Sequence, residues 1–270
     1  MKISVLIPTH NRVESLQKAI KSVLDQSIED FECLVIDDHS TDSTKEVVLA
    51  WQEKDSRVNY FSYSDTRNLQ AVLNYGLKRA RGEYIARIDD DDIWLEKDKL
   101  KNQMTFLQQH PDYLLVGTNA SFATKNGQVV FSSNMPQTDL DLRRKALLQN
   151  HFLSSTVLFR KDPALNLGGF PIDVRLAGDY GLWLALGSVG KFVNLAECST
   201  LITLPEVWVK QRRIIRIKDG IKIIHKFKKQ YPKYFSGLFG RYFSLAMLIL
   251  LPQSAIFDRL LYRIKTNIFG

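Results

Sequence analysis

The sequence predicts an α/β fold: a mostly parallel, Rossmann-type sheet flanked by helices, with a basic helical tail appended. Three observations carry this expectation. Short apolar runs alternate with amphipathic helical patterns through the first hundred residues. The 270 residues, 45% of them hydrophobic and 24% charged, suit one large globular domain with or without an appendage. The positive charge is gathered at one end of the chain.

Ile3 to Ile7, Cys33 to Ile36, Val58 to Ser62 and Tyr84 to Ile88 are apolar or β-rich runs of the length that buried strands adopt. After the first, Leu16, Ala19, Ile20, Val23 and Leu24 recur at the spacing of one helical face. Val47, Val48 and Trp51 mark a second helix, with a cap expected near Ser40 or Thr41. Leu69, Val72, Leu73, Gly76, Leu77 and Ala80 mark a third. Strands alternating with helices of this length imply right-handed crossovers and parallel pairing. Beyond residue 96 the alternation loosens. Leu100, Met104 and Leu107 suggest a helix and Tyr113 to Thr118 a strand. Asn126-Gly127 is a tight turn between Ser121 to Thr124 and Gln128 to Phe131. Leu153 to Phe159 reads as a further strand, Gly168-Gly169 as a turn, and Asp179 to Leu186 as a helix.

The net charge is +8, and residues 206–270 hold 14 Lys and Arg against 3 Asp and Glu. We therefore divide the chain into a domain over 1–205 and a basic extension over 206–270. Ile214, Ile215, Ile217, Ile221, Ile223 and Ile224 alternate there with Lys and Arg, so the extension reads as amphipathic helix. Aliphatic and aromatic residues among the charges favour an anionic membrane surface as partner over nucleic acid. The alternative is that these helices complete the fold or a homodimer interface. Tyr242 to Leu251 is strongly apolar, but Pro252 and Gln253 end it well short of the ~20 residues of a spanning helix. Cys33 and Cys198, far apart and without metal-ligand spacing, fit a reducing compartment. Met1-Lys2 leads directly into Ile3 with no signal-peptide pattern, and a cytoplasmic location is expected, peripheral on the inner face of a membrane.

Ligands of open parallel sheets collect beyond the carboxyl ends of the strands. Here the first strand is followed by Pro8-Thr9-His10-Asn11-Arg12, the second by Asp37-Asp38-His39-Ser40 and the fourth by Asp89-Asp90-Asp91-Asp92. So many carboxylates at one rim require a cation or hydrogen-bond donors between them. Mg²⁺ or Mn²⁺ would take one or two carboxylates and complete its shell with waters and substrate phosphates. In an extended stretch Asp89 and Asp91 would point the same way, one holding the ion and the other reaching a sugar or ribose hydroxyl. Asp37 and Asp38 could accept from a ribose hydroxyl or a base N–H, or serve only as helix-capping turn residues. His10, His39 and His151 suit turns or packing.

These segments together resemble the family 2 glycosyltransferases of the GT-A fold. ISVLIPTHNR is similar to that family's opening strand and nucleotide loop, CLVIDDHSTDST to its base-binding acidic turn, and ALNYGLKRARGEYIARIDDDD to the approach to its aspartate-x-aspartate motif. The resemblance covers about residues 1–205. It implies a nucleotide-sugar pocket lined by Pro8, Thr9, Asn11 and Arg12, with Asp38 at the base and Asp37 nearby. It places Asp89 and Asp90 beside the donor and the divalent ion on Asp91. GGFPIDVRLAGDYGLWLAL is similar to the acceptor-side segment, which makes Asp179 the general base. Gly178 stands where the family commonly has a further acid, and Asn68 where it often has Gly, an exchange that a left-handed Asn would tolerate. Arg67 and the Gln211-Arg212-Arg213 stretch are the candidates for touching the diphosphate.

The implied reaction is a single in-line displacement. The sugar would pass, with inversion, from a nucleoside diphosphate donor, most simply UDP-linked, to a glycan or lipid-linked acceptor. A nucleotidyltransferase would want a glycine-rich phosphate loop where PTHNRVES stands, and a nicotinamide dehydrogenase the G-x-G-x-x-G fingerprint. A non-catalytic membrane-binding protein would leave the three polar strand ends unexplained.

Overall fold

The structure, a computed structural model, describes residues 1–65, 68–205 and 209–250. Its first half is built as the sequence predicts. Strands β1 (Ile3–Thr9), β2 (Phe31–Asp38), β3 (Val58–Tyr63) and β4 (Tyr84–Arg87) pair in parallel in the order β3-β2-β1-β4. Helices α1 (Val13–Leu24), α2 (Thr44–Lys54) and α3 (Leu69–Arg79) connect them. The apolar runs are continuous because both sheet faces are covered. Leu6, Leu34, Ile36 and Ile85 enter the core on the α3 side, whereas Ile3, Val5, Ile7, Cys33, Val35 and Ala86 enter the core on the α1 side. Gly82 sits where chain and β1 cross most closely: a Cβ there would lie 2.5 Å from the Ser4 nitrogen.

The second half is mixed. It comprises β5 (Ile93–Trp94), α4 (Lys99–Gln109), β6 (Tyr113–Ala123), β7 (Val129–Ser132), α5 (Asp139–Lys145), β8 (Leu158–Arg160), α6 (Lys161–Asn166), α7 (Gly178–Val189) and β9 (Lys191–Thr203). The sheet continues from β4 through β8, β6 and β9 to β5, with β7 paired on β6. β8 runs antiparallel to both β4 and β6, and β5 antiparallel to β9, while β6 and β9 are parallel. Pairing is thus wholly parallel through the first four strands and mixed beyond them. The Asn126-Gly127 hairpin forms, with Gly127 at φ +82.

Three local expectations are corrected. Leu153 to Phe159 is not one strand: Ser154–Thr156 makes a 3-10 turn, and only Leu158–Arg160 pairs in the sheet. Helix α2 begins at Thr44, where the Asp42 carboxylate accepts from the Thr44 N–H, so Ser40 and Thr41 lie in the preceding loop. Asn68 is extended at φ −132 and caps α3 by accepting from the Gln70 N–H, so no left-handed turn is needed.

Two further helices follow, α8 (Lys210–Lys226) and α9 (Tyr234–Leu250). Ile223, Ile224, Phe227 and Tyr231 are buried in the core that also holds Trp183 and Phe192, and the Tyr231 hydroxyl donates to the Leu184 carbonyl at 2.7 Å. Among the described residues no helix is long and apolar enough to cross a membrane. Pro252 and Gln253 lie outside the described residues.

Candidate active site

The loops after β1 and β2 are tied to each other. Asn11, left-handed at φ +52, turns its side-chain carbonyl to accept from the N–H of Thr41 at 2.6 Å and of Asp42 at 3.3 Å. Its own N–H donates to the Ser40 hydroxyl. Asp37 is buried and spent on the frame, accepting from the Tyr60 hydroxyl at 2.8 Å and the Ser40 N–H at 2.9 Å. Asp38, one residue on, is half-buried beside the His39 Nδ1 at 3.0 Å. Pro8 is buried within β1.

The acidic run is a turn rather than an extended stretch, because the Asp92 N–H donates back to the Asp89 carbonyl. Alternate exposure results all the same. The Asp89 and Asp91 side chains are 38% and 32% exposed, whereas Asp90 and Asp92 are buried. Asp90 accepts from the Thr9 hydroxyl at 2.8 Å and from Arg12 at 3.0 Å, and the same guanidinium reaches Asp91 at 2.5 Å. Arg87, buried beneath the turn, donates to Asp89 at 2.7 Å. Asp92 accepts from the Ser155 hydroxyl and the Thr203 N–H. Burial pushes the Asp90 carboxyl up to about 6 although Arg12 and Thr9 pull it back, and burial raises Asp91 as well. Asp92 is raised further by burial and then by the charge on Asp89.

Among the described residues no three His, Cys, Asp or Glu side chains gather as a metal cage. One or two carboxylates, with waters and phosphates, are what Mg²⁺ or Mn²⁺ needs. The donor chemistry fits such an ion: Asp91 already holds one cationic group, the Arg12 guanidinium, and Asp89 is exposed beside it in the same turn.

Asp179 opens α7 and is half-buried, its Oδ2 accepting from the Ser154 hydroxyl at 2.6 Å and the Asn150 amide at 3.3 Å. Ser154 and Ser155 are consecutive in the 3-10 turn, so one turn grips Asp179 through the first and the acidic run through the second. Sequence reasoning missed both serines. Three successive hydroxyl residues inside an apolar run were the available signal. Gly178 is also explained: a Cβ there would lie 2.3 Å from the Gln70 amide, so an acid at this position would displace Gln70.

The segment leading to Asp179 is held by remote side chains. The Asn68 amide donates to the Ile172 carbonyl, Gln70 to that of Arg175, and Asn74 both donates to and accepts from Phe170. Asp219 on α8, buried, accepts from the N–H of Arg175 at 2.9 Å and of Leu176 at 2.7 Å. Of the diphosphate candidates, Gln211, Arg212 and Arg213 lie in the first turn of α8, and Arg67 lies outside the described residues.

Known proteins share this architecture. The S. aureus TarS 1–349 structure superposes with TM-score 0.70 at 20% identity, over 92% of this chain and 73% of that one. Mannosyltransferase PcManGT from Pyrobaculum calidifontis, solved with GDP-Man and Mn²⁺, gives 0.68 at 21% identity, over 92% and 70%. The fold is therefore the GT-A fold. By sequence, the putative glycosyltransferase EpsE of Bacillus subtilis is 36% identical over 204 residues, 73% of this chain and 70% of that protein. An uncharacterized glycosyltransferase of Rickettsia conorii is 34% identical over 194 residues, 69% of this chain but only 30% of its own length. The chain thus spans less than a third of the Rickettsia relative that it matches. A Campylobacter jejuni GalNAc(5)-diNAcBac-PP-undecaprenol beta-1,3-glucosyltransferase is 45% identical over 94 residues, 34% of this chain and 30% of that protein. Residues 4–168, which contain the crevice loops, the acidic turn and the paired serines, match glycosyl transferase family 2, and the chain belongs to that family.

Proposed function

We propose that the protein is an inverting, divalent-metal-dependent transferase that moves a hexosyl or N-acetylhexosaminyl group from a nucleoside diphosphate sugar to a glycan or lipid-linked acceptor. The observation that carries this reading is the serine pair, whose consecutive hydroxyls join the half-buried Asp179 carboxylate to the acidic turn of residues 89–92. A single displacement needs such a unit, a base on the acceptor side and charge neutralisation on the leaving side. The relative acting on an undecaprenol-linked glycan and the neighbour solved with a nucleotide sugar and Mn²⁺ support it. A UDP-linked donor is the specific expectation; a TarS structure contains UDP-GlcNAc.

In this reading Asp38 accepts from the base or ribose, and Asn11 keeps the two loops in register. Asp89 faces the donor sugar, and Asp91 is the carboxylate that would hold Mn²⁺ or Mg²⁺. When bound, the ion neutralises charge that builds on the departing diphosphate. Arg12, paired with Asp90 and Asp91, is the cation of the turn and would be at hand for the donor's phosphates once Asp91 held an ion, while Thr9 donates to the buried Asp90 beneath it. Ser154 and Asn150 hold Oδ2 of Asp179, so Oδ1 takes the acceptor's hydroxyl proton as that oxygen attacks the anomeric carbon. The bond to the diphosphate breaks on the opposite side, and the configuration inverts. The basic extension brings the enzyme to the anionic cytoplasmic face of a membrane, where a lipid-linked acceptor resides.

The test is nucleoside diphosphate release from a panel of nucleotide sugars with and without Mn²⁺. Release should require the ion and fall sharply in Asp91→Asn. Full activity in chelator would overturn the metal reading, and retained product configuration would overturn the single displacement.

A further inference from the structure

Among the described residues, helix α9 is fastened along one side. Gly237 lies so close to the Leu147 carbonyl that a Cβ would meet the oxygen at 2.2 Å. Arg241 donates to the carbonyls of Leu147 at 2.7 Å and Leu148 at 3.2 Å and to the Tyr180 hydroxyl at 3.2 Å, while Leu248 is buried. The helix is therefore docked, and its opposite side faces outward by construction.

That outward side is apolar. Phe235 is 80% exposed and Phe239 71%, and Tyr242, Phe243, Ile249 and Leu250 are exposed with them. Their offsets from Phe235 fall on one stripe of a helix running its whole length. At its N-terminal end the stripe meets exposed Lys226, Lys228, Lys229 and Lys233. From Gly220 to Leu250 the chain has no Asp or Glu, so this positive charge has no local counterpart. A complementary partner must carry negative charge beside an apolar surface. A second copy would bring the same uncompensated lysines.

We infer that α9 lies in the plane of an anionic phospholipid bilayer, with Phe235, Phe239 and Phe243 inserted at the boundary between headgroups and acyl chains and the lysine cluster on the phosphates. One aromatic side, one docked side and a basic margin are the features of an in-plane interfacial helix. The straight stripe offers a sheet-like contact rather than a pocket for a protein side chain. This deepens the membrane reading above and rests on it. It also fixes an orientation: Tyr180, which Arg241 touches, follows Asp179 directly, so the docked helix abuts the acceptor side of the site.

The test uses the full chain and sedimentation with vesicles of phosphatidylcholine, with or without phosphatidylglycerol. Wild type should bind only the anionic vesicles. Phe235→Ser, Phe239→Ser and Phe243→Ser combined should weaken that binding at least about tenfold, with the cooperative unfolding transition retained because the three rings are mostly exposed and Phe239 and Phe243 stack chiefly on each other. Lys228→Gln with Lys229→Gln and Lys233→Gln should weaken it while leaving the residual binding less salt-sensitive. If the triple serine variant binds as wild type does, α9 insertion is wrong although the extension still reaches membrane. If wild type ignores both vesicles, the membrane reading itself fails. A wild-type dimer that the serine variant dissociates, with no vesicle binding, would assign the stripe to a second copy instead.

Discussion

The two sides of the crevice, donor and acceptor sides in the proposed reading, are built by different means. On the donor side the site residues sit at the ends of β1, β2 and β4, and the strands beneath them are held by parallel pairing in register. On the acceptor side the segment from Phe170 to Leu176 forms no strand, and Asn68, Gln70, Asn74 and Asp219 hold its backbone from elsewhere in the chain. A phosphate-bearing donor is common to many chemistries, and a strand-end platform suits it. A loop suspended on side-chain bonds can change shape without disturbing the sheet, as an element that meets varied acceptors requires.

The largest expected effect separates the two sides. Asp179→Asn should lower transfer by about 10²–10⁴-fold while nucleotide binding stays near wild type, measured by product formation and calorimetry. Nucleotide affinity falling as far as transfer would mean that Asp179 belongs to the donor side.

Next comes the clasp from α8. Asp219→Ala leaves two part-buried backbone N–H groups without their acceptor and should cost about 1–2 kcal/mol of stability in urea unfolding. In the folded fraction transfer should drop while donor binding persists, because the loop before Asp179 loses its tether. An unchanged ratio of transfer to donor binding would make Asp219 purely structural.

Acid should also divide the two sides. Burial pushes the His151 imidazole down to about 4, and its Nε2 bonds the Lys145 carbonyl. A folded-state value below the unfolded one near 6.5 means that its stabilisation is complete above pH 6.5 and is lost as pH falls toward 4, about 2 kcal/mol by pH 5. Asp90 has the opposite sign: its raised folded-state value favours the folded form in acid and loses that advantage as pH rises through about 6. Hydrogen exchange at pH 5 should therefore show the backbone near Asn150 and His151 loosening before that near Thr9. His151→Phe should abolish that loosening, and equal loosening in the variant would break the assignment.

The same division explains what could be read from the sequence. β1 to β4 and α1 to α4 were legible because two covered sheet faces and one covered helix face leave plain periods in the chain. β9 was not read at all: Lys191–Thr203 includes Asn194, Glu197 and a Ser-Thr pair, and it holds its place by pairing with β6 through register shifts. Asp38, Asp89 and Asp91 stood out because each follows an apolar strand. Asp219 could not stand out, being one acid amid lysines whose role exists only once α8 folds back on Arg175 and Leu176. Ser154 and Ser155 were hidden for the same reason, since no local pattern foretells which carboxylate a hydroxyl will meet.

The serine pair offers the finest cut between donor and acceptor sides. Ser155→Ala removes the hydroxyl that both donates to Asp92 and accepts from the Asp89 N–H. Asp92 keeps the Thr203 N–H, so the expected loss is about 1–2 kcal/mol rather than collapse of the turn. Its kinetic signature should be a weaker response to Mn²⁺ and a raised donor KM, because the turn carrying Asp89 and Asp91 slackens. Ser154→Ala removes one of the two donors to Asp179 and should lower kcat with the Mn²⁺ response intact. Each alanine would then disturb one side of a single three-residue turn. If both variants shifted donor KM and kcat alike, the turn would transmit strain as one body, and the independence of the two sides would have to be given up.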